Sequence, residues 1–204
     1  MGSVAEVVSA VRAVATPGGR TLVGIAGAPG AGKSTVAAEL VQQLGAEAAL
    51  LPMDGFHLPQ WRLVELGRRD RMGAPDTFDV LGFVDVLRRV RANDGVVLAP
   101  GFDRTVEEPV PDAISIGPEH SIVVVEGNYL LLDTGGWEGV AELLDVTFFV
   151  EVPQRVRIRR LIDRHIAFGK SPEAAEAWVL GSDERNAELI ARTAPRARHR
   201  VALA

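Results

Sequence analysis

Residues 20–40 read RTLVGIAGAPGAGKSTVAAEL, and this stretch decides the fold. Residues 20–26 form a short apolar run that suits a buried strand. Residues 33–44 carry helical spacing and stop at Gly45. Between them lies Gly27-Ala28-Pro29-Gly30-Ala31-Gly32-Lys33-Ser34, a G-x-x-x-x-G-K-S sequence in its required strand–turn–helix setting. The glycines let the main chain wrap an anion with its N–H groups turned inward, and the helix start adds a positive dipole end. Lys33 supplies a point charge for β- and γ-phosphates, and the Ser34 hydroxyl is a hard ligand for Mg²⁺. Thr35 adds a hydroxyl within reach of an α-phosphate. A dinucleotide loop would need a third glycine where Thr35 stands, so that reading fails.

Working outward, the pattern alternates strand and helix. Valines at 4, 7, 8, 11 and 14 mark an amphipathic helix over 3–15. Residues 47–53, 121–125 and 145–152 read as buried strands, and 96–100 and 113–117 as short strands. A helix is expected from a cap at Asp76 or Thr77 through Asn93. Pro153 opens another, to about Phe168. A third is expected over 172–193, with a last strand at 198–203. Residues 54–76, rich in Gly and Pro, read as a long irregular loop. Apolar strands alternating with helices predict an α/β fold, a mostly parallel sheet with helices on both faces, in one domain spanning 1–204.

Composition narrows the function. The chain has 204 residues, no cysteine, and a net charge of −5 from 22 basic and 27 acidic residues. Disulfides, thiolate metal sites and cysteine nucleophiles are excluded. A chain of this charge is not a general binder of nucleic acid or of anionic membranes. No apolar run reaches a membrane span, and the first fifteen residues lack the features of a signal peptide, so the expectation is a cytoplasmic protein.

Two carboxylates stand at strand ends. Asp54 follows the 47–53 run and Glu126 ends SIVVV. In a parallel sheet the carboxyl ends share one edge, so Lys33, Asp54 and Glu126 reach one crevice. Phosphoryl transfer to a hydroxyl needs a metal shell and a group to take a proton, and two carboxylates match two needs. Each also has a plain structural use: Asp54 as a turn residue, Glu126 as a strand-end acid. Farther on, Arg157, Arg160 and Arg164 fall on one helix face. Such a face suits a triphosphate, or it is simply solvated.

In order along the chain stand GIAGAPGAGKST (24–35), MDGFHLP (53–59), RMGAPDTFDVLGF (71–83), PGFDR (100–104), VVVEGNYLLL (123–132) and RRLIDRHIAFGKSPEAA (159–175). Together they resemble the P-loop kinase family that includes uridine kinase, bacterial pantothenate kinase and phosphoribulokinase. Within it the chain is most similar to a branch of nucleoside/nucleotide and sugar kinases. The resemblance implies a P-loop NTPase-type three-layer fold with a helical lid at about 153–172. It implies ATP and Mg²⁺ as cofactors, Asp54 as general base, Glu126 assisting Mg²⁺, and Arg160 and Arg164 on the phosphates with Lys33. Lys170 matches a basic lid position. In uridine kinases a carboxylate gripping the ribose hydroxyls precedes the segment matching Ala74-Pro75-Asp76; here Gly73 stands there. The ribose and uracil contacts are not carried over.

Loops 54–76 and 100–112 flank Asp54 and are expected to wall the acceptor pocket. The candidates there are His57, Arg71, Phe102, Arg104 and Tyr129. His57 also suits a loop hydrogen bond, Arg104 a surface pair with Asp103, Glu107 or Glu108, and Tyr129 packing under the lid. The expected activity is transfer of the γ-phosphoryl group of ATP to a hydroxyl of a small metabolite, a nucleoside, a sugar or a pantothenate-like compound, by a monomer or homodimer. The rival is a regulatory NTPase with no small-molecule acceptor. A GTPase switch lacks its N-K-x-D element here.

Overall fold

The apolar runs become the sheet. A computed structural model describes residues 1–202. Strand β1 (Thr21–Gly27) is buried along its whole length, as is β5 (Ile122–Gly127). With β2 (Ala48–Pro52), β6 (Val146–Glu151) and β7 (His199–Ala202) they form a parallel sheet in the order β2-β5-β1-β6-β7. Residue 203 of the expected last strand lies outside the described residues. Alternate side chains of each strand enter opposite cores. Val23, Ile25, Val124 and Phe148 pack under helices α1 (Val4–Val14) and α2 (Lys33–Leu44). Leu22, Leu51, Val125 and Phe149 enter the larger core under α4 (Val80–Ala92). Strands buried on both faces carry no polar alternation, which is why they read as continuous apolar runs.

Four expectations are corrected. The segment 54–76 is not irregular throughout: it holds α3 (Gln60–Glu65) and three single 3-10 turns. Six residues are too few to show a helical period. Its neck is closed where His57 and Phe78 bridge and Leu58 N–H donates to the Thr77 carbonyl at 2.9 Å. Helix α4 starts later than expected, because Thr77 spends its hydroxyl on the Ala74 carbonyl and Asp79 caps Gly82 N–H instead, at 2.9 Å. Strands β3 (Val97–Asp103) and β4 (Glu108–Ile116) are longer than expected and form a separate antiparallel hairpin. The helix expected over 172–193 is interrupted. After α5 (Glu138–Ala141) and α6 (Gln154–Ala167), α7 (Pro172–Trp178) and α8 (Glu184–Ala191) flank a π turn at Val179–Asp183. Such turns recur at functional sites.

Register positions the chemistry. Pro52 and Ile25 both pair with Glu126, and Gly27 pairs with Val150. The carboxyl ends of β1, β2 and β5 are therefore level. The Gly27–Thr35 loop, Asp54 and Glu126 emerge at one edge, and the tip of the β3–β4 hairpin overhangs it.

Candidate active site

At that edge lies a cavity of about 330 Å³, bounded by the start of α2, the hairpin tip, α6 and the π turn. The loop contributes Pro29, Gly30, Gly32, Lys33, Ser34 and Thr35 to its wall. Gly27, Ala28 and Ala31 lie behind. Ala28 and Ala31 line a second cavity, of about 630 Å³, on the far side of the loop. Gly30 and Gly32 take φ of 75° and 93°, a region that side chains resist, and these turns aim the main chain inward. Gly32 caps α2 without a side-chain hydrogen bond, so the first N–H groups of the helix have no side-chain cap.

Lys33 is buried, and its Nζ donates to the Ala28 carbonyl at 3.2 Å and sits 3.9 Å from the Glu126 carboxylate. Burial pulls the Lys33 ammonium below its ordinary value, while Glu126 and Asp54 pull it back up. Burial pushes Glu126 above the usual carboxylate range; Lys33 and the Ser34 hydroxyl oppose this, and Asp54 adds to it. An ammonium and a carboxylate facing each other in a dry site are each costly alone, so the pair holds together.

Asp54 lies on the 3-10 turn after β2 and lines the same cavity. Burial would raise its carboxyl, but the adjoining His57 ring and the positive charges of Arg104 and Lys33 outweigh that and hold it below the ordinary value. Arg104 donates from Nη2 to Asp54 Oδ2. None of the three surface acids expected to pair with Arg104 does so. Asp103 Oδ1 accepts from Thr105 N–H at 2.7 Å, Glu107 pairs with Arg69, and Glu108 accepts from Gln60 N–H at 3.2 Å.

His57 stands against Phe78 and Phe102, with ring centroids 4.0 and 4.7 Å apart. Its Nδ1 is 2.8 Å from the Asp54 main-chain carbonyl. A carbonyl only accepts, so Nδ1 carries the proton and Nε2 keeps a lone pair. Burial lowers the imidazole below its ordinary value, against the pull of the Asp54 charge, which favours this neutral form.

On the opposite wall, Arg160 and Arg164 of α6 face the cavity, and neither has an acid within salt-bridge distance among the described residues. Lys170 lies over the Trp178 ring at 4.9 Å, and both line the cavity. His165 meets Asp183 on the π turn at 2.9 Å. Arg157 does not share this face. It is buried with its Nη2 2.5 Å from Glu184 Oε2, and it lines the second cavity.

Arg71 and Tyr129 do not line the cavity. Arg71 turns to Asp76, 2.7 Å away, and Arg69 faces inward in its place. Tyr129 is buried among Phe78 and Trp137, and its hydroxyl donates to the Gly73 carbonyl at 2.5 Å. Burial pushes its hydroxyl far up, so it stays protonated as a donor. Residues that sequence reasoning missed are Arg69, Asn128, Asp183 and Asn186. Only Asn128, in the turn after Glu126, carried a local signal.

The cavity wall holds six Lys and Arg side chains against four carboxylates, although the whole chain is acidic. A cationic hollow in an acidic protein concentrates anions such as a triphosphate. Among the described residues no helix is long and apolar enough to cross a membrane.

Comparison with known proteins agrees with this geometry. An ATP-dependent kinase-like protein of Aspergillus versicolor is 37% identical over 148 residues, covering 68% of this chain and 86% of that one. A uridine kinase of Clostridium perfringens is 32% identical over 146 residues, covering 71% and 67%. A crystal structure from Silicibacter sp. TM1040, provisionally named a fructose transport system kinase, superposes with a TM-score of 0.88 at 35% identity over 100% of both chains. Residues 22–198 match the phosphoribulokinase / uridine kinase family, and the chain belongs to it: an ATP-dependent small-molecule kinase, a phosphotransferase whose acceptor is an alcohol group.

Proposed function

We propose that this kinase transfers the γ-phosphoryl group of ATP to a hydroxyl of a small metabolite held against Asp54. The observation that carries the reading is the meeting of three strand ends. Lys33, Glu126 and Asp54 line one cavity, with Lys33 Nζ 3.9 Å from Glu126 and the Asp54 charge felt at both.

In this reading the N–H groups of the Gly27–Thr35 loop and Lys33 hold the triphosphate, and Arg160 and Arg164 offset charge as the transferring group loosens. The acceptor oxygen bonds to the γ-phosphorus, and the bond from that phosphorus to the β–γ bridging oxygen breaks. The electron pair leaves with ADP, and the acceptor's proton passes to Asp54. Ser34 and Glu126 fit Mg²⁺. Both are oxygen donors, and no group of three acidic or imidazole side chains forms a metal cage among the described residues. That set suits an ion that takes its remaining ligands from phosphates and water. When bound, the ion would neutralise phosphate charge.

The adenine belongs, on this reading, in the second cavity, which shares Ala28 and Ala31 with the loop. Its walls include Phe149, Val152 and Pro195. The Arg157 guanidinium lines the same wall with Nη1 buried and without a hydrogen-bond partner among the described residues. A cation beside apolar walls suits a flat π system. ATP and Mg²⁺ are cytoplasmic supplies, in keeping with a cytoplasmic protein.

The test is a screen of sugars, nucleosides and vitamins with ATP and Mg²⁺, reading ADP release. An acceptor should raise the rate above the acceptor-free value. Asp54→Asn should then lower turnover about a hundredfold with ATP affinity within about twofold. ADP release that no acceptor raises, or that Asp54→Asn leaves unchanged, sinks the reading and favours a regulatory NTPase.

A further inference from the structure

The acceptor side carries an ion pair that proton transfer has no use for. Asp54 has one carboxylate oxygen bonded to the Arg104 guanidinium. A carboxylate held this way is a poor base, because a lone pair is occupied and its charge is neutralised. The pair is not built to last. The Arg104 side chain is 45% exposed and that of Asp54 is 23% exposed. The exposed partner is Arg104, whose guanidinium can exchange its carboxylate for water or another anion more readily than one in a fully buried pair. Arg104 has no other side-chain partner among the described residues, since Asp103, Glu107 and Glu108 are engaged elsewhere.

Arg69 is the contrast. Gln60 Oε1 holds its Nε at 3.1 Å and Glu107 Oε2 holds its Nη2 at 2.9 Å. One arginine of the acceptor side is clamped, and the other is clipped only to the base. Turnover then creates a charge problem. When Asp54 takes the acceptor's proton it becomes neutral, and Arg104 loses its counter-charge in a cavity already rich in cations. An acceptor that brings its own anion supplies the missing charge at that moment.

We propose that Arg104 is a substrate-operated catch on Asp54, released by an acceptor that carries an anionic group, carboxylate or phosphate, beside its reactive hydroxyl. The proposal rests on the reading of Asp54 as base given above. A guanidinium trades one carboxylate for another oxyanion at little cost, whereas a neutral alcohol offers no charge to trade. Without acceptor the base stays clipped, and water is a poor competitor for ATP.

Two measurements test it. The first is ATP hydrolysis with Mg²⁺ and no acceptor. Arg104→Gln should hydrolyse about fivefold faster than wild type, the factor that corresponds to losing about 1 kcal/mol of restraint. The double variant Arg104→Gln with Asp54→Asn should fall back to the wild-type rate or below. Hydrolysis in Arg104→Gln no faster than wild type overturns the catch. The second uses matched acceptors: glycerate and glycerol, fructose 6-phosphate and fructose, pantothenate and pantothenyl alcohol. Wild type should favour a charged member by about tenfold or more in kcat/KM, and Arg104→Gln should erase that preference. The pair that responds separates carboxylate from phosphate. Preference for neutral members overturns the proposal while leaving the kinase reading intact. So does an equal loss within each pair, which would make Arg104 a phosphoryl-group contact. If no pair is turned over, the hydrolysis series alone decides the catch, and Asp54→Asn in the acceptor screen decides the kinase reading.

Discussion

The two sides of the cavity are made of different materials. The phosphate side is main chain: a glycine turn between a fully buried strand and a helix start, with a single buried lysine. The acceptor side is side chain: Arg104 on Asp54, Arg69 on Glu107 and Gln60, His57 between two aromatic rings. A main-chain cradle is set by where the glycines stand. A side-chain wall is set by which of many charged partners win.

The comparison predicts unequal damage from substitution. Lys33→Met should cost about a thousandfold in kcat/KM, since it removes the one buried cation of the cradle and leaves Glu126 unpaired. ADP formation under steady-state conditions reads this, and a loss below about tenfold would move the phosphate site elsewhere. On the acceptor side, Arg69→Gln should raise the acceptor KM about tenfold, the scale of one charged hydrogen bond. Arg71→Gln, two residues away, should stay within about twofold, because Arg71 spends its charge on Asp76. Equal effects from the two would erase the distinction between facing in and facing out.

Smaller effects probe how the wall is held. Tyr129→Phe removes the donor to Gly73 O and should cost about 1 kcal/mol, or roughly 2–4 °C in Tm for a chain of this size. His57 titrates in a definite direction. Its folded-state pKa is lowered by burial, so the unfolded chain binds the proton more readily. Its contribution to stability is complete above the ordinary imidazole value of about 6.5 and shrinks as pH falls below that. Thermal melts between pH 7 and pH 5 should show a loss in wild type that is smaller in His57→Gln. Equal slopes would mean that His57 is not held neutral.

The same contrast explains what was legible in the sequence. The extent of α2 and the placing of the Gly27–Thr35 loop follow from glycine positions and a short apolar strand, both local signals. The meeting of Lys33, Asp54 and Glu126 at one edge also follows, since the carboxyl ends of parallel strands share an edge, whereas the order of the strands has no local signal. The choice between Arg69 and Arg71 was not legible. Both lie on one 3-10 turn in a run of charges, and only the tertiary position of Glu107 separates them. The inward turn of Arg104 was hidden for the same reason, because three nearer acids had to be taken by other donors first. The π turn at Val179–Asp183 has no mark in the sequence, yet it brings Asp183 to the cavity.

Gly73 carries one more lesson. Its φ is 94°, open space surrounds the position of a would-be Cβ, and its carbonyl accepts from both Tyr129 and Asn186. Grafting an aspartate there to regain a ribose grip would meet no steric wall. It would instead force a left-handed backbone on a side chain that resists it, at about 1–3 kcal/mol, and pull at a carbonyl that ties the acceptor loop to the core and to α8. Placing a carboxylate at this position is thus a problem of rerouting the main chain, and exchanging residues around an unchanged loop will not achieve it.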